Sequence, residues 1–146
     1  MMKRTLLVGS LFVLAGTASA AEFGTAAEAK AMLDKAVAAV KADKAKALAQ
    51  FNAGQGGFKD RDLYPFCASA ADGNFSAHPA LLGKSMKELK DKTGKAMGEE
   101  MLKVAAEGKV AEVSYMWPRP GAADPVPKVS YVTKVGDQVC GVGYYK

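Results

Sequence analysis

The last quarter of the chain most narrows what it can fold into. VAEVSYMW, PKVSYVTKV and QVCGVGYYK are three runs rich in β-branched and aromatic residues, separated by the segment PRPGAADPV and by a Gly136-Asp137 turn. Neighbouring runs with connections this short pair antiparallel, because a parallel return needs a long crossover. The expected unit is a three-stranded meander.

The first third has a different period. Thr25-Ala26-Ala27-Glu28 fits a capping box, and Ala29, Met32, Leu33, Ala36, Val37 and Val40 then recur at helical spacing opposite Lys30, Asp34, Lys35 and Lys41. Asp43 caps a second, shorter helix with Ala47, Leu48 and Phe51 inward, ended by Asn52 and the glycines of NAGQGG. From Asp62 the pattern changes: LYPFCA reads as a strand, AADG as a turn and NFSAHP as the hairpin partner. Leu81 to Lys90 reads as a loop with a short helix. Lys95 to Glu107 reads as a helix carrying Met97, Met101, Leu102 and Ala105, closed by Gly108. Two strands, a helical crossover and a meander make an α+β domain with one antiparallel sheet. The long first helix covers one face, leaving the other to the middle helices and a small cavity.

Lys3 and Arg4 precede the apolar run LLVGSLFVLAG and the small residues Ala18-Ser19-Ala20. This is the pattern of a signal peptide over residues 1–20, cut between Ala20 and Ala21, so residues 21–146 are expected as one domain in the periplasm or outside the cell. Losing Lys3 and Arg4 lowers the formal charge from +5 to +3. The lysines are scattered among acidic residues, which argues against a nucleic-acid partner. Cys67 and Cys140 form an even pair in an oxidising compartment and favour a disulfide, with two buried thiols as the alternative. With one histidine, no CxxC and dispersed aspartates (Asp60, Asp62, Asp72, Asp91), no metal or other cofactor is expected.

GTAAEAKAMLDKAV, KALAQF, FKDRDLYPF, DGNFSAHPALLGK, LKDKTGK, YMWPRPG, PKVSYV and VGYYK follow one another from Gly24 to Tyr145. In this order they resemble single Cache domains of the exported bacterial sensor type, here as a stand-alone domain. The resemblance implies a PAS-like fold with a five-stranded sheet in the order 2-1-5-4-3 and recognition of a small extracellular molecule, often a short carboxylate. It also makes strands 1 and 5 neighbours, which strengthens the Cys67 to Cys140 pairing. Signalling members are joined to a transmembrane helix and an output domain, whereas this sequence ends at Lys146. The ligand is therefore expected to be presented to a membrane receptor or kinase partner.

A carboxylate site needs a cation, two or three donors and walls that exclude water. Lys128, Tyr131, Tyr115, Ser130, His78 and the Trp117 indole supply the candidates, with Tyr64 and Phe66 sharing one strand face and Cys67 on the other. Plain core packing of Val113, Tyr115 and Trp117 is the competing reading of that stripe. Lys128 and Tyr131 are an odd number apart, so an undistorted strand separates them; a bulge near Pro127 is expected to bring both into the pocket. Prolines 118, 120, 125 and 127 are expected to shorten the pairing and stiffen the loop; Arg119, whose planar fork would suit a carboxylate, is a further candidate but between two prolines is expected to point to solvent. His78 lacks an orienting carboxylate or an activated serine, so no triad and no enzyme are expected; a hydrolase using His78 and a tyrosine is the remote reading. The function expected is a sensor that binds a short carboxylate without turnover. The alternative is a protein-interaction module with a vestigial pocket, homodimeric through the first helix.

Overall fold

The computed structural model describes residue 16 and residues 21–146; the leader read over residues 1–20 falls outside the described residues, Gly16 apart. The chain runs α1 (Ala26–Ala42), α2 (Lys44–Ala53), β1 (Pro65–Ser69), β2 (Phe75–Ala77), α3 (Met97–Val104), β3 (Ala111–Pro118), β4 (Pro125–Val135) and β5 (Gln138–Tyr145). The five strands form one antiparallel sheet in the order β2-β1-β5-β4-β3. This is the α+β architecture and strand order that the resemblance implied.

The helix starts obey local chemistry. Thr25 accepts from the Glu28 amide while the Glu28 carboxylate reaches back to the Thr25 amide, the reciprocal pair of a capping box. Asp43 caps α2 through the Lys46 amide, and Gly54 ends it in the left-handed conformation that glycine adopts freely. Ala29, Met32, Leu33 and Ala36 of α1 join Phe51, Phe58, Leu63 and Val142 in a core on one sheet face. Tyr64, Phe66, Phe75, Val113, Tyr115 and Val132 build a second core on the other face, closed by Met86, Met97 and Met101. Cys67 lies opposite Cys140 and the two form a disulfide.

Three expectations are corrected. Residues 81–90 contain turns but no helix, because Leu89 and Met86 serve the second core from irregular backbone. The third helix is shorter than read: it leaves helical geometry at Ala105, and Ala106 bridges Lys109 in a small reversal. The prolines do not shorten the meander, since β3 and β4 stay in register through Trp117↔Val126 and Pro118↔Pro125. Pairing of β4 with β5 ends at Lys128↔Tyr145, and Pro127 turns its carbonyl toward the Lys146 amide on that side.

Candidate ligand site

Lys128 is 2 % exposed and stands between Tyr115 on β3 and Tyr145 on β5. Its stem has room because position 143 is glycine: a Cβ there would collide with Lys128 Cε and with Ser130 Oγ. Nζ donates to Tyr64 Oη at 3.1 Å and lies 4.5 Å from the Tyr64 ring centroid, 4.8 Å from that of Tyr145 and 6.0 Å from that of Tyr115. Among the described residues no carboxylate comes within ion-pair distance of it. Burial pulls this ammonium down to about 7, with the Asp62 charge acting in the opposite direction.

Tyr64 and Tyr115, which flank Lys128, also wall a cavity with Phe66, Phe75, His78 and Trp117; Lys128 itself is not among the residues that line it. Leu89, Met97 and Met101 close it. Its volume is about 10 Å³, room for roughly one water. The hydroxyls around it are tied down. Tyr115 and Ser130 share a 2.8 Å hydrogen bond. Burial pushes Tyr64 up to about 12, opposed by hydrogen bonds with Tyr145 and Trp117. His78 Nδ1 accepts from the Ala80 and Leu81 amides, both at 3.0 Å, which leaves Nε2 to carry the proton. Burial, aided by the nearby Lys128 charge, holds His78 down to about 3, so the ring is neutral at physiological pH.

The structure brings Tyr64, Phe66, His78, Tyr115 and Trp117 together around the cavity, sets Lys128 against Tyr64 and Tyr115 without its lining the cavity, and leaves Tyr131 out. No bulge interrupts β4 near Pro127, so Tyr131 emerges on the α1 face, 5.8 Å from Tyr144. Arg119 does not point to solvent. Its guanidinium lies 4.1 Å from the Phe23 ring and 5.0 Å from the Tyr145 ring, with Nε 3.4 Å from Asp62 Oδ2. Tyr145, Asp62 and the methionine wall escaped the sequence reading. The glycines of GVG were the available signal, since Gly141 and Gly143 in a strand mark close approach by Phe66 and Lys128.

The chain is thus an α+β domain with α1 and α2 on one face of the sheet and, on the other, an aromatic-walled cavity closed in part by α3. The family model for single Cache domain 2 matches residues 15–145, and the chain belongs to that family. The methyl-accepting chemotaxis protein McpP of Pseudomonas putida is 35% identical over 71 residues, 47% of this chain and 13% of that protein. The chain thus spans about an eighth of this curated relative. A methyl-accepting chemotaxis protein of Vibrio parahaemolyticus superposes with TM-score 0.66 at 26% identity, covering 82% of this chain and 86% of that one. A periplasmic sensor domain of a chemotaxis protein gives TM-score 0.62 at 25% identity, over 80% of this chain and 87% of its own. A Cache chemosensory domain described as recognising carboxylic acids gives 0.60 at 26% identity, over 80% and 85% of the respective chains. Among the described residues no helix is long and apolar enough to cross a membrane.

Proposed function

We propose that this chain is an exported sensor domain that binds a short organic carboxylate at Lys128, without turnover, and passes the signal to a membrane partner. The observation that carries this reading is Lys128 itself: a buried ammonium whose one side-chain acceptor among the described residues is a phenol. Such a charge is costly to desolvate, and a bound anion is the compensation that the surrounding residues do not supply. Trp117 Nε1, His78 Nε2 and the Tyr64 hydroxyl are the donors proposed to meet the carboxylate oxygens, and Phe66, Phe75 and Tyr115 its short chain. The likeness to a domain that recognises carboxylic acids supports the ligand class. In this proposal residues 1–20 are the export signal and 21–146 the single sensor domain.

A cavity of about 10 Å³ holds no carboxylate, so binding would require Leu89, Met97 and Met101 to move outward. Unbranched methionines make that wall adaptable. The same closure favours the second reading, an interaction module without a working pocket. Calorimetric titration with acetate, propionate and lactate separates the two. Wild type should bind at least one of them, with Lys128→Ala and Trp117→Ala weakening binding at least tenfold while each remains folded. Equal affinity in both variants, or no binding of any small carboxylate, would transfer the assignment to the interaction module.

A further inference from the structure

The chain enters α1 through Ala21–Gly24, and this short strap is fastened to residues around the lysine site. Arg61 Nη1 donates to the carbonyls of Ala21 and Phe23, at 3.1 and 2.9 Å. The same guanidinium pairs with Glu28 of the α1 capping box at 2.8 Å. The Gly24 amide donates to the buried Asp62 carboxylate at 2.8 Å, and a Cβ on Gly24 would run into the Leu63 side chain. Phe23 lies on the Arg119 guanidinium, whose other neighbour is the Tyr145 ring. Tyr145 Oη in turn donates to Pro118 O at 2.8 Å, which fixes the loop that carries Arg119.

We infer that the strap Ala21–Gly24 is coupled to ligand binding through Arg119 and Tyr145, and that an anion on Lys128 tightens it. Two cations share the Tyr145 ring, Lys128 Nζ at 4.8 Å and Arg119 at 5.0 Å. Their charges repel, and the repulsion weakens the hold of Arg119 on Tyr145, Asp62 and Phe23. An anion that neutralises Lys128 removes the repulsion, so Arg119 settles more firmly and the strap with it. By linkage, loosening the strap must weaken the anion's binding by the same factor. Asp62 and Arg119 are positioning residues in this scheme, and Phe23 contributes to the site without lining it. The scheme rests on the carboxylate reading only for the identity of the anion.

The test is amide hydrogen exchange at Gly24, followed by NMR on labelled protein produced from the full sequence. Three states are compared: wild type alone, wild type with saturating propionate, and Lys128→Met, which fills the same slot without charge. Gly24 exchange should slow by about two- to fivefold with propionate and also in Lys128→Met, the range expected for a cation–π contact at a half-exposed ring. Phe23→Ala, a change at an exposed residue, should weaken propionate binding by the same factor. Propionate binding with Gly24 exchange and the Phe23→Ala affinity unchanged would overturn the coupling and leave the carboxylate reading standing. Absent binding with slower exchange in Lys128→Met would do the reverse. Unchanged exchange in Lys128→Met together with no binding would end both.

Discussion

Replacing Lys128 by methionine should stabilise the protein, by an amount that shrinks as the pH rises. Holding the ammonium at about 7, against 10.5 for the free side chain, corresponds to about 5 kcal/mol of unfavourable interaction with the charged form. Below pH 7 folded and unfolded chains both carry the proton, so the fold bears all of this. Between 7 and 10.5 the folded lysine has released its proton while the unfolded one keeps it, and stability rises by up to about 1.4 kcal/mol per pH unit. The nearby groups hold their charge in this window: burial pushes the hydroxyls of Tyr64, Tyr115 and Tyr145 up and, with the Lys128 charge, His78 down to about 3. Urea unfolding of wild type and Lys128→Met, in ligand-free buffer at constant ionic strength and with the disulfide intact, should therefore show a gap that closes by about 3 kcal/mol from pH 6 to pH 9. A gap constant to within about 0.5 kcal/mol across that range would show that the lysine charge is compensated inside the fold. An anionic ligand would then find no uncompensated charge to meet at Lys128.

Propionate affinity should be highest below pH 7 and fall about tenfold per pH unit above it, because the anion selects protonated Lys128; titrations in buffers of different ionisation enthalpy would record the proton taken up. Gly143→Ala should displace the Lys128 stem, destabilise by about 1–3 kcal/mol and abolish propionate binding, read by urea unfolding and calorimetry. Asp91 accepts from the Met116 amide, from the Thr93 hydroxyl and amide and from the Lys95 amide, and these bonds hold its carboxyl down to about 2. Asp91→Ala should free the 91–95 loop from β3 and speed limited proteolysis there, while the wild type keeps its loop down to about pH 2. Removing the Cys67–Cys140 bridge, which spans a sequence separation of 73, should lower stability by about 4 kcal/mol in urea unfolding under reducing against oxidising conditions.

Much of the architecture was legible because its signals are local. The Thr25 capping box, the period-two runs and the Gly136-Asp137 turn each act within a few residues, and each recurs in the structure. Parity was a sound guide as well. It places Phe66 and Cys67 on opposite faces and separates Lys128 from Tyr131, and β4 keeps that parity because no bulge interrupts it near Pro127. What stayed hidden depends on partners remote in sequence. Arg119 between two prolines looks solvated until Phe23, Asp62 and Tyr145 surround it, and Tyr145 joins the site only because β5 lies beside β4. The helix expected over residues 81–90 is absent for a related reason: Met86 is buried and Leu89 half-buried against the second core rather than along a helical stripe.

If the proposed carboxylate site is right, the closed cavity and the buried lysine are two halves of one balance. Opening the wall would expose Met97 and Met101, now 2% and 3% exposed, at about 1.5–3 kcal/mol for each side chain. An arriving carboxylate would relieve up to about 5 kcal/mol of charge burial at Lys128. The two quantities are comparable, so neither the closed nor the open arrangement wins by a margin that a ligand of ordinary affinity cannot reverse. With a fully apolar residue at position 128 the closed state would prevail with or without an anion. With a carboxylate already paired to the lysine inside the fold, an incoming anion would relieve little. On the proposed carboxylate reading, a buried cation next to a methionine-closed cavity is the arrangement in which occupancy by an anion would bias the domain between the two states.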